Sequence, residues 1–263
     1  MITLLGHGYI GEHIAKEFDA SGINFNWLHH TDTIPEETTF IVNATGYTGV
    51  PNVDACEKEK QQTINGNVIF PLQLEQNNIN TPILHISSGC VYTGYEKEFT
   101  ENDAPNFDFN NGSFYSGSKA LEQKLLEPYM HKSYLFRIRM PFGNESHPKN
   151  LFTKLEKYER LIDYRNSISY VPDVAKAVLH FILTRPECGV YNVCNPGSVT
   201  TKDISDALGL TKEWFTVDEF KNAVVAPRSN CVLNSDKLEK VFQMIPAKMA
   251  MLIAVKKYYE VSE

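Results

Sequence analysis

The chain opens on ITLLGHGYIGEHIAKEF: a short apolar run, three glycines, then an amphipathic stretch. Gly6, Gly8 and Gly11 form G-x-G-x-x-G at the junction of a strand-like and a helix-like segment. Glycine at these positions permits a tight turn, lets a pyrophosphate approach the backbone amides, and lets the following helix pack close to the strand. The N-terminus of that helix adds a field that favours negative charge. The expected phosphate-binding set is Gly6, Gly8, Tyr9, Ile10 and Gly11, and it belongs to a βαβ unit.

The rest of the chain repeats that alternation. INFNWL, TFIVNA, PILHISS and SYLFRIRM are runs of strand length, rich in β-branched and aromatic residues. Between them lie NVDACEKEKQQTINGNVIFPLQLEQNN, read as helical, and the helical GSFYSGSKALEQKLLEPY. This order predicts a Rossmann-type α/β fold, a doubly wound parallel sheet with helices on both faces. Beyond about residue 140 the pattern loosens into helical NLFTKLEKYERL, then ISYVPDVAKAVLHFIL, strand-like GVYNV and a mainly helical tail ending in AKMAMLIAVKKYYE. We expect a dinucleotide-binding domain over residues 1–145 and a smaller substrate-binding lobe over 146–263. Residues 165–195 are expected to return to the first domain, and the cleft between the two is the default site.

The composition limits what that cleft binds. A net charge of −7 without a long basic run argues against a nucleic-acid surface. Any anionic ligand must be held locally, by backbone amides and a few placed cations. Five cysteines, an odd number with no C-x-x-C pair, suggest neither a disulfide framework nor a zinc site and fit a reducing cytoplasm. No stretch approaches the roughly 20 apolar residues of a membrane span, so a soluble protein is expected.

The second strand-like run is followed by His29 and His30, with the nearest acid, Asp32, slightly further on. A carboxylate at that place would repel a 2′-phosphate, so the arrangement leans towards NADPH, with NADH possible, and His30 joins the cofactor set. Tyr115 and Lys119 stand as Y-S-G-S-K, an i, i+4 spacing on one helix face. A lysine beside a tyrosine favours phenolate and lowers the phenol pKa towards neutrality. Ser88, in SSGCVY, sits at the carboxyl end of the fourth strand-like run.

The glycine turn, NATG at residues 43–46, Ser88 and Y-S-G-S-K together resemble the extended short-chain dehydrogenase/reductases along nearly the whole chain. The resemblance implies that Tyr115 is the acid/base, that Lys119 also holds the nicotinamide ribose, and that Ser88 hydrogen-bonds the substrate oxygen. It also places Ala44, Gly46, Asn67 and Pro141 at the cofactor. NATGYTGVPNVDACE, GSFYSGSKALEQ, RIRMPFG, NLFTKLEKYER and VVAPRSN narrow the likeness. They resemble the bifunctional UDP-4-keto-6-deoxyglucose 3,5-epimerase/4-reductases that form UDP-L-rhamnose, and more distantly the dTDP-4-dehydrorhamnose reductases.

Within that family Cys90 and Lys154 correspond to an additional acid/base pair, a neutral lysine taking a proton while the cysteine delivers one. The implied substrate set is Thr48, Ser88, Cys90, Tyr115, Asn150 and Arg228, with Arg228 as diphosphate clamp. The structural alternatives are a buried apolar role for Cys90, a solvated face for Lys154 and a surface salt bridge for Arg228. Asp173 is expected as a helix N-cap. His85 and His147, which have no recognisable partner in the sequence, are expected to be structural.

The implied activity is NADPH-dependent epimerisation and reduction of a UDP-sugar, with a separate 4,6-dehydratase as metabolic partner and a homodimeric assembly. A 4-reductase without epimerase activity is the alternative. A non-catalytic regulatory subunit, like that of methionine adenosyltransferase, is a reading of another class, and the intact Ser88, Tyr115 and Lys119 set speaks against it.

Overall fold

Six of the apolar runs become the strands of one parallel sheet in the computed structural model, which describes residues 1–260. They are β1 (Ile2–Leu5), β2 (Phe25–Leu28), β3 (Phe40–Asn43), β4 (Ile83–Ser88), β5 (Tyr134–Ile138) and β6 (Gly189–Asn192). Their spatial order is β6-β5-β4-β3-β1-β2, and every neighbouring pair is parallel. The chain steps from β1 to β2 on one side, then crosses to β3 on the other. This reversal is the topological switch point, where α/β sheets bind ligands beyond the carboxyl ends of their strands.

The helices are α1 (Tyr9–Ala20), α2 (Lys60–Ile64), α3 (Phe70–Asn77), α4 (Phe114–Leu126), α5 (Leu151–Lys157) and α6 (Val171–Thr184). They continue with α7 (Thr201–Ala207), α8 (Val217–Ala223), α9 (Asp236–Glu239) and α10 (Ala247–Glu260).

Strand alternation sorts the core into two faces. Leu4, Val42, Leu84 and Phe136 pack with Ile14 and Phe18 of α1 and Val174 and Val178 of α6. Their neighbours Leu5, Ile41 and Ile83 point the other way, onto Leu74 of α3. A further core joins Phe152 of α5, Ile204 of α7 and Met251 and Ala254 of α10, beside the carboxyl edge of the sheet.

Two local expectations change. The long NVDACE to QNN stretch is not one helix: a 3-10 turn over Val53–Glu57 precedes α2, and a π turn over Asn65–Ile69 separates α2 from α3. Pro71 has no N–H for the carbonyl four residues back, and the ladder changes just before it. Asp173 is not the N-cap of α6. Tyr170 holds that position, while Asp173 lies in the first turn and accepts a 2.9 Å hydrogen bond from Asn195 Nδ2.

Among the described residues, no helix is long and apolar enough to cross a membrane, and no group of three or more His, Cys, Asp or Glu is placed to hold a metal ion. All five cysteines are unpaired.

Candidate active site

At the turn after β1, Gly6 has φ of +102°, and a Cβ there would meet the Ala44 carbonyl oxygen at 2.8 Å. A Cβ on Gly11 would come within 2.1 Å of the Gly6 oxygen, so helix and turn touch through bare backbone. Gly8 is different: a Cβ there would meet nothing within 4 Å. Gly8 is also the N-cap of α1 and gives no side-chain cap, so the first-turn amides face the open side of the turn. That cradle fits a dinucleotide phosphate.

Tyr9 and Ile10 offer only backbone there. The Tyr9 ring is buried and stacks on His147 at 4.6 Å, and Ile10 packs against the core. His147 thus has a partner after all, and its Nδ1 also accepts from the Lys149 amide.

The histidine beside the phosphate turn is His29, not His30. His7 is sandwiched between Trp27 at 4.6 Å and His29 at 4.1 Å, while His30 turns its edge to Phe70. Asp32 accepts from the His29 amide at 2.7 Å and so closes this turn.

The NATG loop is braced from below. Asn43 Oδ1 accepts from the Thr45 amide at 3.1 Å, and Asn43 Nδ2 meets His85 Nδ1 at 3.1 Å. His85 Nε2 lies 3.0 Å from Glu75, which also binds Lys132. His85 therefore has two partners within a buried polar chain, a pairing the sequence did not reveal. Asn67 is wholly buried: its Oδ1 accepts from the Tyr47 amide at 2.7 Å, and its Nδ2 donates to the Tyr47 carbonyl and to Ser118. Its amide holds the loop against α4.

The helix α4 carries Tyr115 and Lys119, both buried. The Lys119 ammonium binds Glu122 at 3.1 Å, and a Cβ on Gly46 would lie 3.8 Å from it. Glu122 in turn accepts a 2.6 Å bond from Ser87. The expectation that lysine lowers the phenol pKa is reversed: burial, reinforced by Cys90, pushes the Tyr115 phenol well up, although a Ser88 hydrogen bond pulls the other way. A buried ammonium pairs with the carboxylate one turn along the helix, and the phenol keeps its proton. Gln123 Nε2 donates to the Ser88 carbonyl at 2.9 Å and fixes the end of β4.

Beyond Tyr115 opens a cavity of about 290 Å³. Pro141 lines it, as does Met140, whose φ of 40° turns the chain out of the sheet. Cys90 and Lys154 share the wall with Tyr115. Burial, together with repulsion from Lys149, brings the Lys154 ammonium down to about 8. Among the described residues, five cations line the cavity, Arg139, Lys149, Lys154, Arg160 and Arg228, and no carboxylate does. Arg228 is paired with Asp54 and Arg160 with Glu219, so in a chain of net charge −7 the positive potential where a ligand enters comes chiefly from Arg139, Lys149 and Lys154.

Three expected substrate contacts are otherwise engaged. Arg228 turns its fork onto Asp54, with two 2.7 Å bonds that tie GVPNVDACE to APRSN. Burial alone would raise the Asp54 carboxyl, but the Arg228 guanidinium holds it below the ordinary carboxylate value. Thr48 accepts a 2.8 Å bond from Lys149. Asn150 is fully buried, caps α5 through the Phe152 amide and donates to the carbonyls of Gly143 and Glu145. It lies behind the wall rather than on it, because a helix start inside the core leaves amides that need a partner. Arg139, Lys149, Arg160 and Asp54 went unnoticed in the sequence. Arg139 lies within RIRMPFG, Asp54 within VDACE and Arg160 at the end of NLFTKLEKYER, while Lys149 just precedes that last stretch, and no spacing rule singles any of them out.

The family model of the RmlD substrate binding domain matches residues 5–258. Over 89% of its length the chain is 32% identical to the bifunctional dTDP-4-dehydrorhamnose 3,5-epimerase/dTDP-4-dehydrorhamnose reductase of Arabidopsis thaliana, covering 85% of that protein. It is 31% identical, again over 89% of its length, to an Arabidopsis trifunctional UDP-glucose 4,6-dehydratase/UDP-4-keto-6-deoxy-D-glucose 3,5-epimerase/UDP-4-keto-L-rhamnose-reductase, but spans only 38% of that protein. The crystal structure of a UDP-rhamnose synthase from Acanthamoeba polyphaga mimivirus superposes with a TM-score of 0.88 at 24% identity, over 98% of this chain and 99% of that one. A dTDP-4-dehydrorhamnose reductase from Bacillus anthracis, in complex with NADP, gives 0.79 at 16% identity, over 99% and 98%. At such identities the structural likenesses carry the fold alone.

Proposed function

Because this chain belongs to the RmlD substrate binding domain family of extended short-chain dehydrogenase/reductases, we propose that it converts UDP-4-keto-6-deoxy-D-glucose to UDP-L-rhamnose. The reaction joins 3,5-epimerisation to NADPH-dependent reduction of the 4-keto group. The observation that carries this reading is that Cys90 and Lys154, two proton-transfer groups a plain reductase does not need, share one cavity wall with Tyr115.

Ser88 and Tyr115 hydrogen-bond the ketone oxygen. A phenol held high by burial stays protonated near neutral pH and serves as an acid, giving its proton to the oxygen as negative charge develops there. When bound, a nicotinamide cofactor would supply the hydride. The first-turn amides of α1 and Gly8 hold its pyrophosphate, and Lys119, fixed by Glu122 beside Gly46, lies towards its ribose. His7 and His29 stack beside the phosphate turn and face the 2′-phosphate of NADPH, with the nearest acid, Asp32, engaged by the His29 amide.

The same polarised ketone acidifies the C–H bonds on either side of it, so Cys90 and Lys154 exchange protons at the neighbouring carbons. Lys149, Arg160 and the Asp54-braced Arg228 face the diphosphate. Since the substrate already bears a 4-keto group, a 4,6-dehydration must supply it.

The test is incubation with NADPH and UDP-4-keto-6-deoxyglucose in deuterated water, read by NMR. UDP-L-rhamnose labelled at positions 3 and 5 is the expected product. Turnover only of an already epimerised keto-sugar, without label, would replace this reading with a 4-reductase.

A further inference from the structure

Tyr9, the first residue of α1, is attached in two directions. Its backbone lies in the first helical turn, where Gly8 supplies no side-chain cap and the amides need an outside partner. Its ring turns inward, is buried, and stacks on His147 at 4.6 Å with 10° between the planes. His13, one turn along α1, meets the same ring edge-on at 5.0 Å. A Cβ on Gly143 would come within 2.5 Å of the Tyr9 phenol oxygen, so that glycine leaves the space the ring fills. The phenol oxygen has no hydrogen-bond partner among the described residues, and packing alone holds the ring.

His147 belongs to the loop 143–150 that leads into α5. Its Nδ1 accepts from the Lys149 amide at 3.0 Å, and its carbonyl accepts from the Asn150 amide at 2.9 Å. Burial lowers the His147 imidazole, so at neutral pH it is uncharged and Nδ1 can accept. Asn150 closes the loop from inside through the Gly143 and Glu145 carbonyls. Lys149, whose amide hangs from the His147 ring, lines the cavity and reaches Thr48 Oγ1 at 2.8 Å and the Gly49 carbonyl at 2.7 Å. The helix that follows carries Lys154 to the same wall. A continuous run of contacts thus leads from the uncapped helix start, through Tyr9 and His147, to the cations of the cavity.

We propose that Tyr9 and His147 are positioning residues that join the two sites: a dinucleotide seated on the glycine turn fixes Tyr9, and the Tyr9–His147 stack then orders Lys149 and the start of α5 for the second substrate. A helix start without a cap frays because its amides are unpaired, and a phosphate that pairs them holds the Tyr9 backbone in its helical form. The ring is rigid and closely enclosed, so a shift of its backbone moves the loop it packs on. The coupling is reciprocal: a ligand that settles Lys149 and its loop tightens the dinucleotide by the same factor. This goes beyond the proposed reaction, which contains no route between the sites, and rests on that reading for the identity of the two ligands.

The first test needs no sugar: hydrogen exchange read by mass spectrometry on peptides over residues 144–154, with and without NADPH. In the wild type NADPH should slow exchange there about fivefold or more, the lower end of ordinary coupling between sites. His147→Ala should lose that effect while slowing over residues 6–12 persists. Lys16→Ala removes an exposed 3.1 Å contact from α1 to Glu145 of the same loop and should keep it. Slowing confined to residues 6–12 in the wild type overturns the proposal, as does equal slowing of the loop in His147→Ala. If His147→Ala does not fold, Tyr9→Leu should lose the effect and Tyr9→Phe, which keeps the ring, should retain it. Failure of both NADPH and NADH to slow exchange over residues 6–12 would sink the reductase reading and this proposal with it.

The second test is calorimetric titration of UDP into the protein with and without saturating NADP+. In the wild type NADP+ should lower the Kd for UDP about fivefold or more, and UDP should lower the Kd for NADP+ by the same factor. In His147→Ala both factors should fall to about one, with each ligand still binding alone. A factor of one in the wild type, or equal factors in the two proteins, overturns the proposal. If UDP binds neither form, the nucleotide-sugar reading fails and the hydrogen-exchange result alone judges the link.

Discussion

Two regions of the molecule offer groups suited to an anion, and they are built in different ways. At the turn after β1 the groups are backbone: Gly8 and the uncapped amides of α1, within a few consecutive residues. Around the cavity they are side chains, drawn from the end of β5, the loop before α5, α5 itself, the segment after it and the segment between α8 and α9. A backbone site needs glycine at fixed spacing and is therefore contiguous in the sequence. A side-chain site needs only that the fold bring cations together, so its residues carry no spacing.

The sharpest way to break this comparison is Tyr115→Phe, which deletes one oxygen from the side-chain-built region. We expect kcat for reduction to fall about 10³-fold, or about 4 kcal/mol, as for loss of a general acid. Cofactor affinity measured by titration should stay within about twofold. A comparable loss of cofactor binding would mean the two regions are not separable at Tyr115.

The converse experiment strikes the backbone-built region. Gly11→Ala places a methyl group 2.1 Å from the Gly6 carbonyl, which is backbone and cannot swing away. We expect about 3 kcal/mol of destabilisation by chemical denaturation, at the upper end for overpacking. Gly8→Ala meets no atom within 4 Å, so its stability should change little while cofactor affinity drops several-fold. Equal losses of stability in both variants would refute the assignment of Gly8 to ligand approach.

A third variant tests how the cavity wall is assembled. Asp54→Asn removes the charge that orients the Arg228 fork between two segments 174 residues apart. Both side chains are about a quarter exposed, so the loss should be about 1 kcal/mol of stability. KM for the nucleotide sugar should rise about fivefold with kcat nearly unchanged, because Arg228 would no longer be aimed. An unchanged KM would show that Arg228 braces the wall without facing the ligand.

The same division explains what could be read from sequence. The parallel sheet was legible because buried strands are short continuous apolar runs, and the glycine turn because its chemistry is local. Glu122 was harder: it stood within the quoted GSFYSGSKALEQ, but nothing in the sequence said that Lys119 would bind it rather than lie beside the Tyr115 phenol. The internal bonds of Asn67 and Asn150 were not legible, since an asparagine that braces a loop and one that touches a cofactor look alike in sequence. Arg139 was illegible. A buried arginine without an acid is recognised only when its surroundings are known, and its neighbours Asn166 and Ser229 are far along the chain.

A further effect concerns Lys154, where the cavity's positive charge bears on the fold itself. Its ammonium sits at about 8 in the native protein, lowered first by burial and then by Lys149, against about 10.4 for an unfolded lysine. Between those values the unfolded chain binds more protons than the native one, so native stability rises with pH across that window. The penalty is fully present below about pH 8 and is relieved as pH climbs towards 10. Chemical denaturation of the wild type and of Lys154→Met at pH 7, 8, 9 and 10 measures it. The difference between the two proteins should favour the variant at pH 7 and shrink steadily by pH 10. A difference that does not vary with pH would mean that the cavity keeps Lys154 fully hydrated, and that its place beside Lys149 costs the fold nothing.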